Sequence, residues 1–461
     1  RRLYVLHQLE GESLSNHVFT AWQLEGVIQR EQLERIFHTL LLRHELFRTG
    51  FTLLEGEVVQ RIHSDVAWKM EYTEGAAADM PRIQQSFLRP FDLQQPPLLR
   101  VMLVRLAEQS HVLLLDVHHI IFDGISATVL IDEFISLMEG SHLEIPRIQY
   151  KDFTAWQHTQ LSGEHLKEQE AYWVGLFDEQ HTGQEVPLLN LPGDYPRPKQ
   201  RSFAGGSLEF SLPSASATSL RELAMESGAT LFMVLLAAYN VFLSRYGGQE
   251  DIVVGTPVAG RSHVQLERML GMFVNTLALR NAPVQEKTFR QFLNEVRDNA
   301  LNAFEHQDYP FDMLVNRLHL QRDLSRNPLF DTMFRLQNFM DVSREVPGLQ
   351  VKPYPLESSF ASFDLMLTVV EPIAQNEGDD GQAGLHCTFE YSSELFSEQT
   401  VRQMAQHFIE LAAQLASQPD RPLYAASLLT SAEQSHILVA RNTTAFALPA
   451  DKLMHHLFAQ Q

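Results

Sequence analysis

The stretch VHHIIFDGIS, residues 117–126, sets two histidines, an acid and a glycine into an otherwise apolar run. Imidazole titrates near neutral pH, so His118 or His119 is suited to move a proton. Imidazoles and carboxylates also bind metals, but adjacent strand side chains point to opposite faces and do not readily reach one ion. A histidine pair that only satisfies hydrogen bonds in a core is the third reading. Asp123 could orient an imidazole as the acid of a Ser-His-Asp triad does. An acid just before a helix more often caps it or pairs with an arginine, and that role is expected here. No G-x-S-x-G motif is present, so the histidine would act on a bound substrate directly.

The surrounding elements assign the roles. HVLLLDVHH, 111–119, is apolar almost throughout, as a strand covered on both faces is. LLRVMLVRL, 98–106, pairs with it as a hairpin across the turn AEQS. Gly124 opens ISATVLIDEFISLM, an amphipathic helix ending at Gly140. The histidines therefore lie at a strand-to-helix turn, facing a helix N-terminus. His119, as the last strand residue, is expected to reach a cleft, with His118 as its buried scaffold.

Helix and strand alternate elsewhere too. Leu33, Phe37, Leu40 and Leu41 predict a helix over 31–47, and FTLLEGEVVQRI a hairpin. Pro and Gly concentrate in 183–207, the expected linker. Beyond it, 231–246 reads as a buried helix, DIVVGTPV as a strand, 288–304 as a helix capped by Thr288, and 397–415 as the last long helix. Further strands are expected near 331–338, 363–370 and 385–391. At 461 residues the chain exceeds one compact core. Two α/β lobes with a ligand cleft between them are expected.

A net charge of −21 argues against nucleic acid and anionic membrane as partners. The single cysteine, Cys387, permits no internal disulfide, fits a reducing, cytoplasmic setting, and reads as a packed core thiol in LHCTFEYS. No apolar run approaches the roughly 18 residues of a membrane span, and the N-terminus has no signal-peptide core. Both ends read as cut.

At these residues the chain resembles the condensation domains of nonribosomal peptide synthetases, and the match runs nearly end to end. RRLYVLHQL (1–9) looks like a truncated first motif of that family and RHELFRTGF (43–51) like the second. VHHIIFDGIS is the third and YKDFTAW (150–156) the fourth. LGMFVNTLALR (270–280), HQDYPFD (306–312) and RDLSRNPL (322–329) match the fifth, sixth and seventh, in order. The resemblance implies a pair of chloramphenicol-acetyltransferase-like lobes, 1–178 and 179–430, forming a V-shaped pseudodimer with a central tunnel. Segment 431–461 resembles the linker and first helix of a following adenylation domain. His455 and His456 fall there and read as surface or interface.

By the same resemblance, upstream donor and downstream acceptor peptidyl carrier proteins bring thioesters on phosphopantetheine arms, with no intrinsic cofactor and no metal, and the domain is a monomer. His119 would be the active-site histidine and His118 its scaffold neighbour. Asp123 would pair with an arginine, Arg280 above all. Arg48 and Asn338 would lie near the tunnel, and Ser126 would support it.

The chemistry asks little of a base before attack. An α-amine with pKa about 7.7 to 8 is partly unprotonated at neutral pH, and a thioester is activated. Attack creates a protonated nitrogen beside an oxyanion. His119 would accept that proton or hold the amine in line, and the Gly124 amide, at the positive end of a helix dipole, would donate to the oxyanion. Glycine there either leaves room for the thioester or permits a positive φ.

Three relatives of this fold are rivals. Epimerisation domains usually carry Trp shortly after the motif serine, where Ala127 and Thr128 follow Ser126 here. Heterocyclisation domains replace the histidines with D-x-x-x-x-D, which is absent. Recruitment domains, which bind an oxygenase, have a degenerate motif, and this one is intact. Ile125 stands where domains taking a D-configured donor commonly carry Trp, so the sequence resembles the type joining two L-residues.

Overall fold

The computed structural model describes residues 2–461 apart from 11–13, 15, 161–162, 179–184, 321–322, 338–343, 356–359, 372–383 and 443–453. Two six-stranded sheets organise the chain. The first runs β11-β12-β1-β6-β5-β4, built from β1 (His17–Gly26), β4 (Glu71–Glu74), β5 (Leu99–Ala107), β6 (Ser110–His118), β11 (Arg344–Val346) and β12 (Leu349–Pro353). The second runs β7-β14-β13-β10-β8-β9, from β7 (Gly205–Leu212), β8 (Ile252–Val258), β9 (Asn275–Asn281), β10 (Thr332–Gln337), β13 (Leu365–Val370) and β14 (Leu385–Ser392). The expected hairpin near 51–62 forms apart from both, as β2 (Thr49–Leu54) and β3 (Glu57–Ile62).

Strand β6 lies at the heart of the first sheet and is sandwiched, as its apolar sequence requires. Leu113, Leu115 and Val117 join one core with Phe37, Leu40 and Phe134, on the side of the helices Arg30–Arg43 and Gly124–Met138. Val112 and Leu114 join a smaller cluster with Ile83 and Phe87 on the other face. Side-chain alternation with period 2 produces this division.

The second sheet packs against the helices Ser214–Glu226, Leu231–Gly247, Phe289–Glu305 and Glu398–Ser417. Thr288 caps the third, accepting from the Gln291 N–H at 3.2 Å. Leu231–Gly247 is buried around nearly its whole circumference, which explains its unbroken apolar sequence. No single described helix is long and apolar enough to cross a bilayer. Cys387 is 1% exposed in β14, and burial pushes its thiol up to about 12, so it is a core residue.

The sheets do not follow a simple division of the chain. Strand β12, from within the segment expected as the second lobe, pairs with β1 of the first sheet, in register from Trp22↔Pro353 to Gly26↔Leu349, and β11 pairs with β12 at the sheet's edge. Strand β1 had no counterpart among the sequence expectations. The described part of the expected linker is irregular up to β7, yet it is fastened: Arg197 donates to Asp364 and, at 3.1 Å, to the Ser325 carbonyl.

Candidate active site

The histidines part company where the strand ends. His118 is the last residue of β6, and His119 opens a 3-10 turn, His119–Ile121, so the expectation that His119 ends the strand is corrected. The His119 backbone N–H still donates to the Asn16 carbonyl at 2.7 Å, extending the ladder by one bond. The turn then rotates its side chain out of the alternation that would have put it in the core with Val117.

His118 is wholly buried. Its Nδ1 accepts from the Ile120 N–H at 3.1 Å, which fixes the proton on Nε2, 3.3 Å from His7 Nδ1. Burial holds this imidazole down at about 3, so it is neutral and both nitrogens are committed. It has no lone pair left for a metal ion.

Register assembles the ground beneath it. Arg100 on β5 lies opposite Asp116 on β6, and His17 on β1 lies opposite His118. Asp116, fully buried, accepts from Arg100 Nη1 at 3.0 Å and His17 Nδ1 at 2.7 Å. A buried charge is tolerated only when paired, as this one is. None of Asp116, His17 and Arg100 was singled out in the sequence, although an acid inside LLLDVHH is the signal that could have found them.

His119 is in the opposite condition. The residue is part-exposed, and its Nδ1, itself buried, has no hydrogen-bond partner among the described residues. Among the described residues no carboxylate braces it, and Asp123 is fully engaged elsewhere.

Asp123 caps the helix Gly124–Met138, accepting from the N–H and Oγ of Ser126, both at 2.7 Å. It also accepts from the Phe273 N–H at 3.1 Å and from Arg261 Nη2 at 3.0 Å. The cap and an arginine partner were both expected; that the arginine is Arg261 was not. Arg280 does not reach Asp123. In β9 it stands opposite Val253, and its guanidinium is bound by Asp251 at 2.7 Å and the Leu176 carbonyl at 2.9 Å. Arg261 takes the place instead, lying over the Phe273 ring at 4.1 Å and donating to the Met269 carbonyl at 2.6 Å. Gly260 makes this approach possible: its φ is +61°, and a Cβ there would come within 1.9 Å of the Phe273 carbonyl oxygen.

Ser126, fully buried, belongs to the same joint, accepting from the Gly271 N–H at 3.0 Å. Tyr150 adds a donation to the Met272 carbonyl at 2.7 Å. These contacts bind the third and fourth motifs to the segment 260–273, which leads into the fifth.

Gly124 is exposed, lacks a positive φ, and a Cβ there would meet nothing within 4 Å. The conformational reason for glycine is therefore excluded. Open space stands before a helix N-terminus whose first amides have no intrahelical partner.

Arg48 ties carbonyls together, donating to Leu41 at 3.0 Å and also to His63. Asn338 lies outside the described residues. His455 and His456 are exposed on the helix Met454–Gln460.

The Condensation domain family model matches residues 1–438. The chain is 46% identical over its full length to tyrocidine synthase 3 of Brevibacillus parabrevis, of which it covers 7%, and 44% identical to gramicidin S synthase 2 of Brevibacillus brevis, of which it covers 10%. It thus spans about a tenth of the length of these relatives or less. Among solved structures it is similar to the X-domain from teicoplanin biosynthesis, with a TM-score of 0.84 and 25% identity over 93% of this chain and 96% of that one. The condensation domain of the monacolin K polyketide synthase MokA has a TM-score of 0.79 and 22% identity over 91% of this chain and 96% of that one. With its mixed α/β, chloramphenicol-acetyltransferase-like fold, the chain belongs to the condensation-domain family of the nonribosomal peptide synthetases, acyltransferases that form amide bonds.

Proposed function

We propose that this domain joins an L-configured donor acyl or peptidyl thioester to the α-amine of an acceptor aminoacyl thioester, both delivered on carrier proteins. The observation that carries the reading is the contrast within the histidine pair: His118 is sealed and neutral with both nitrogens committed, whereas His119 is part-exposed and keeps a buried Nδ1 without a partner among the described residues, close in sequence to the open space at Gly124. In the reaction the acceptor nitrogen attacks the thioester carbon, and the carbonyl oxygen takes the negative charge. Its collapse breaks the C–S bond, releasing the donor carrier's thiolate. His119 takes the proton from the ammonium, or holds the amine in line, a role worth roughly 10²- to 10⁴-fold. The Gly124 amide donates to the oxyanion. Two arms meeting in one passage between the lobes supply orientation, for which effective molarities reach about 10⁵ M or more.

Residues 1–178 and 179–430 form the two lobes in this reading, with β11 and β12 returned to the first, and 431–461 leads toward an adenylation domain. Arg48, Arg280 and Ser126 act as supports. Ile125 supports the L-donor assignment.

The experiment is condensation between two carriers loaded with L- or D-aminoacyl groups, with products resolved by chirality. An L,L-dipeptide is expected. Epimerised product without a new amide would replace this reading with an epimerisation domain. The likeness to an X-domain favours a second reading, a non-catalytic recruitment domain, which predicts no product from any pair together with binding of an oxygenase.

A further inference from the structure

The turn that carries His119 is seated on the start of β1. The His119 N–H donates to the Asn16 carbonyl at 2.7 Å, one step beyond the facing pair His17↔His118. The peptide unit whose oxygen receives this bond also contains the backbone nitrogen of His17, the first residue of β1. Chain segments at the end of a sheet fray unless something fastens them. Whatever fixes His17 therefore fixes the carbonyl on which His119 rests.

His17 is fastened by its side chain, which is 4% exposed and donates from Nδ1 to Asp116 Oδ1 at 2.7 Å. Hydrogen bonds to a carboxylate are among the strong ones. The Asp116 carboxylate, wholly buried, also accepts from Arg100 Nη1 at 3.0 Å. Arg100 is fixed in turn, lying 3.8 Å from the centre of the Phe91 ring and donating to the Pro90 carbonyl at 2.8 Å. Phe91 packs against His17 and His118, with ring centroids 5.0 and 6.1 Å apart. The bond from Asp116 to His17 is the one by which an acid orients a catalytic imidazole. Here the far edge of the ring, Nε2, is buried without a partner among the described residues. A ring sealed in this way does not meet a substrate, and a leucine would pack on Phe91 without leaving a buried nitrogen unpaired, so the histidine is there for its bond to Asp116.

We propose that His17 is a positioning residue for amide-bond formation: bound by Asp116, it holds the Asn16 carbonyl and through it sets where the His119 imidazole stands. This rests on the role proposed above for His119. A reacting group misplaced by about 1 Å can cost about 10²-fold in rate, so a bond beneath the turn is felt in turnover.

The test is condensation between two loaded carriers by the whole domain, run well below each variant's melting midpoint so that every chain is folded. His17→Leu removes the donor and should lower kcat by about 10- to 10²-fold with KM little changed. His17→Asn, whose amide nitrogen takes the place of Nδ1, should recover most of that loss. Phe87→Leu truncates a buried side chain on the same face of the sheet and leaves the Asp116 bond intact, so it should lower the melting midpoint without lowering kcat. Side-chain NMR of histidine should show the His119 resonances, assigned from His119→Ala, displaced in His17→Leu and restored in His17→Asn. Wild-type kcat in His17→Leu, a loss that His17→Asn does not recover, or an equal loss in Phe87→Leu overturns the proposal. A wild-type rate in His119→Ala overturns the role of His119 itself; a loss there beside wild-type kcat in His17→Leu overturns only the positioning. Should His17→Leu not fold, Asp116→Asn decides, since it keeps the side chain's shape and loses the charge that holds His17 and Arg100: wild-type kcat in that variant overturns the proposal.

Discussion

Arg261 closes on Asp123 from 138 positions away, with Nη2 3.0 Å from Oδ1 and 3.2 Å from Oδ2, both side chains being almost sealed from solvent. The pair joins the motif turn to the loop after β8, so the acid of the motif serves architecture before chemistry. Its carboxylate accepts the Ser126 and Phe273 N–H groups as well, leaving nothing for His119.

Removing one partner of a buried ion pair strands the other, at about 3–5 kcal/mol. Asp123→Ala and Arg261→Ala should each lower unfolding free energy by about that much in urea titrations, or abolish soluble protein. The double variant should cost less than the sum. An Asp123→Ala protein with native melting behaviour and no condensation activity would show the acid to be chemical instead.

Gly124→Ala separates space from strain. The new methyl meets nothing within 4 Å and the backbone needs no special φ, so the melting temperature should stay within a degree or two of wild type. Dipeptide formation between loaded carriers should fall, because the methyl enters the room proposed for the thioester. Unimpaired turnover would remove Gly124 from the site.

His119→Ala should fold normally, since nothing described depends on its ring, and should lose roughly 10²- to 10⁴-fold in turnover. Single-turnover product formation between two loaded carriers measures this. A wild-type rate would end the proposed role.

His118 makes the fold acid-sensitive. Its folded pKa, about 3, is below the ordinary 6.5, so between those values the unfolded chain binds the extra proton. Stability from this residue is therefore undiminished above pH 6.5 and declines as pH falls toward 3, by at most about 1.4 kcal/mol per pH unit. Urea midpoints from pH 7 to pH 5 should show the decline, and His118→Gln should flatten it.

Cys387 should resist thiol reagents in the native state at pH 8, because burial disfavours its thiolate, and react fully on unfolding. Rapid native labelling would show that β14 opens.

Much of this was legible from local pattern. The unbroken apolar run before His118 marked a strand covered twice, and the covering clusters are there. Thr288 and Asp123 marked helix starts by capping chemistry, which acts within three residues. The motif turn was placed from residue type and position, but the exposure of His119 comes from a 3-10 turn that starts at it, and not from its ending the strand.

Partnership across the chain could not. Whether Asp123 met Arg280 or Arg261 depended on which arginine the folded backbone carried within 3 Å, and β9 turned Arg280 toward Asp251. The crossing of β11 and β12 into the first sheet, and the convergence of His17 and Arg100 on Asp116, likewise came from strand register. Short-range hydrogen bonding and periodicity are written in neighbouring residues, so the sequence by itself determined most of the elements and the motif turn, though not β1. Long-range pairing is a competition among many similar side chains, and only the packed tertiary structure decided its winners.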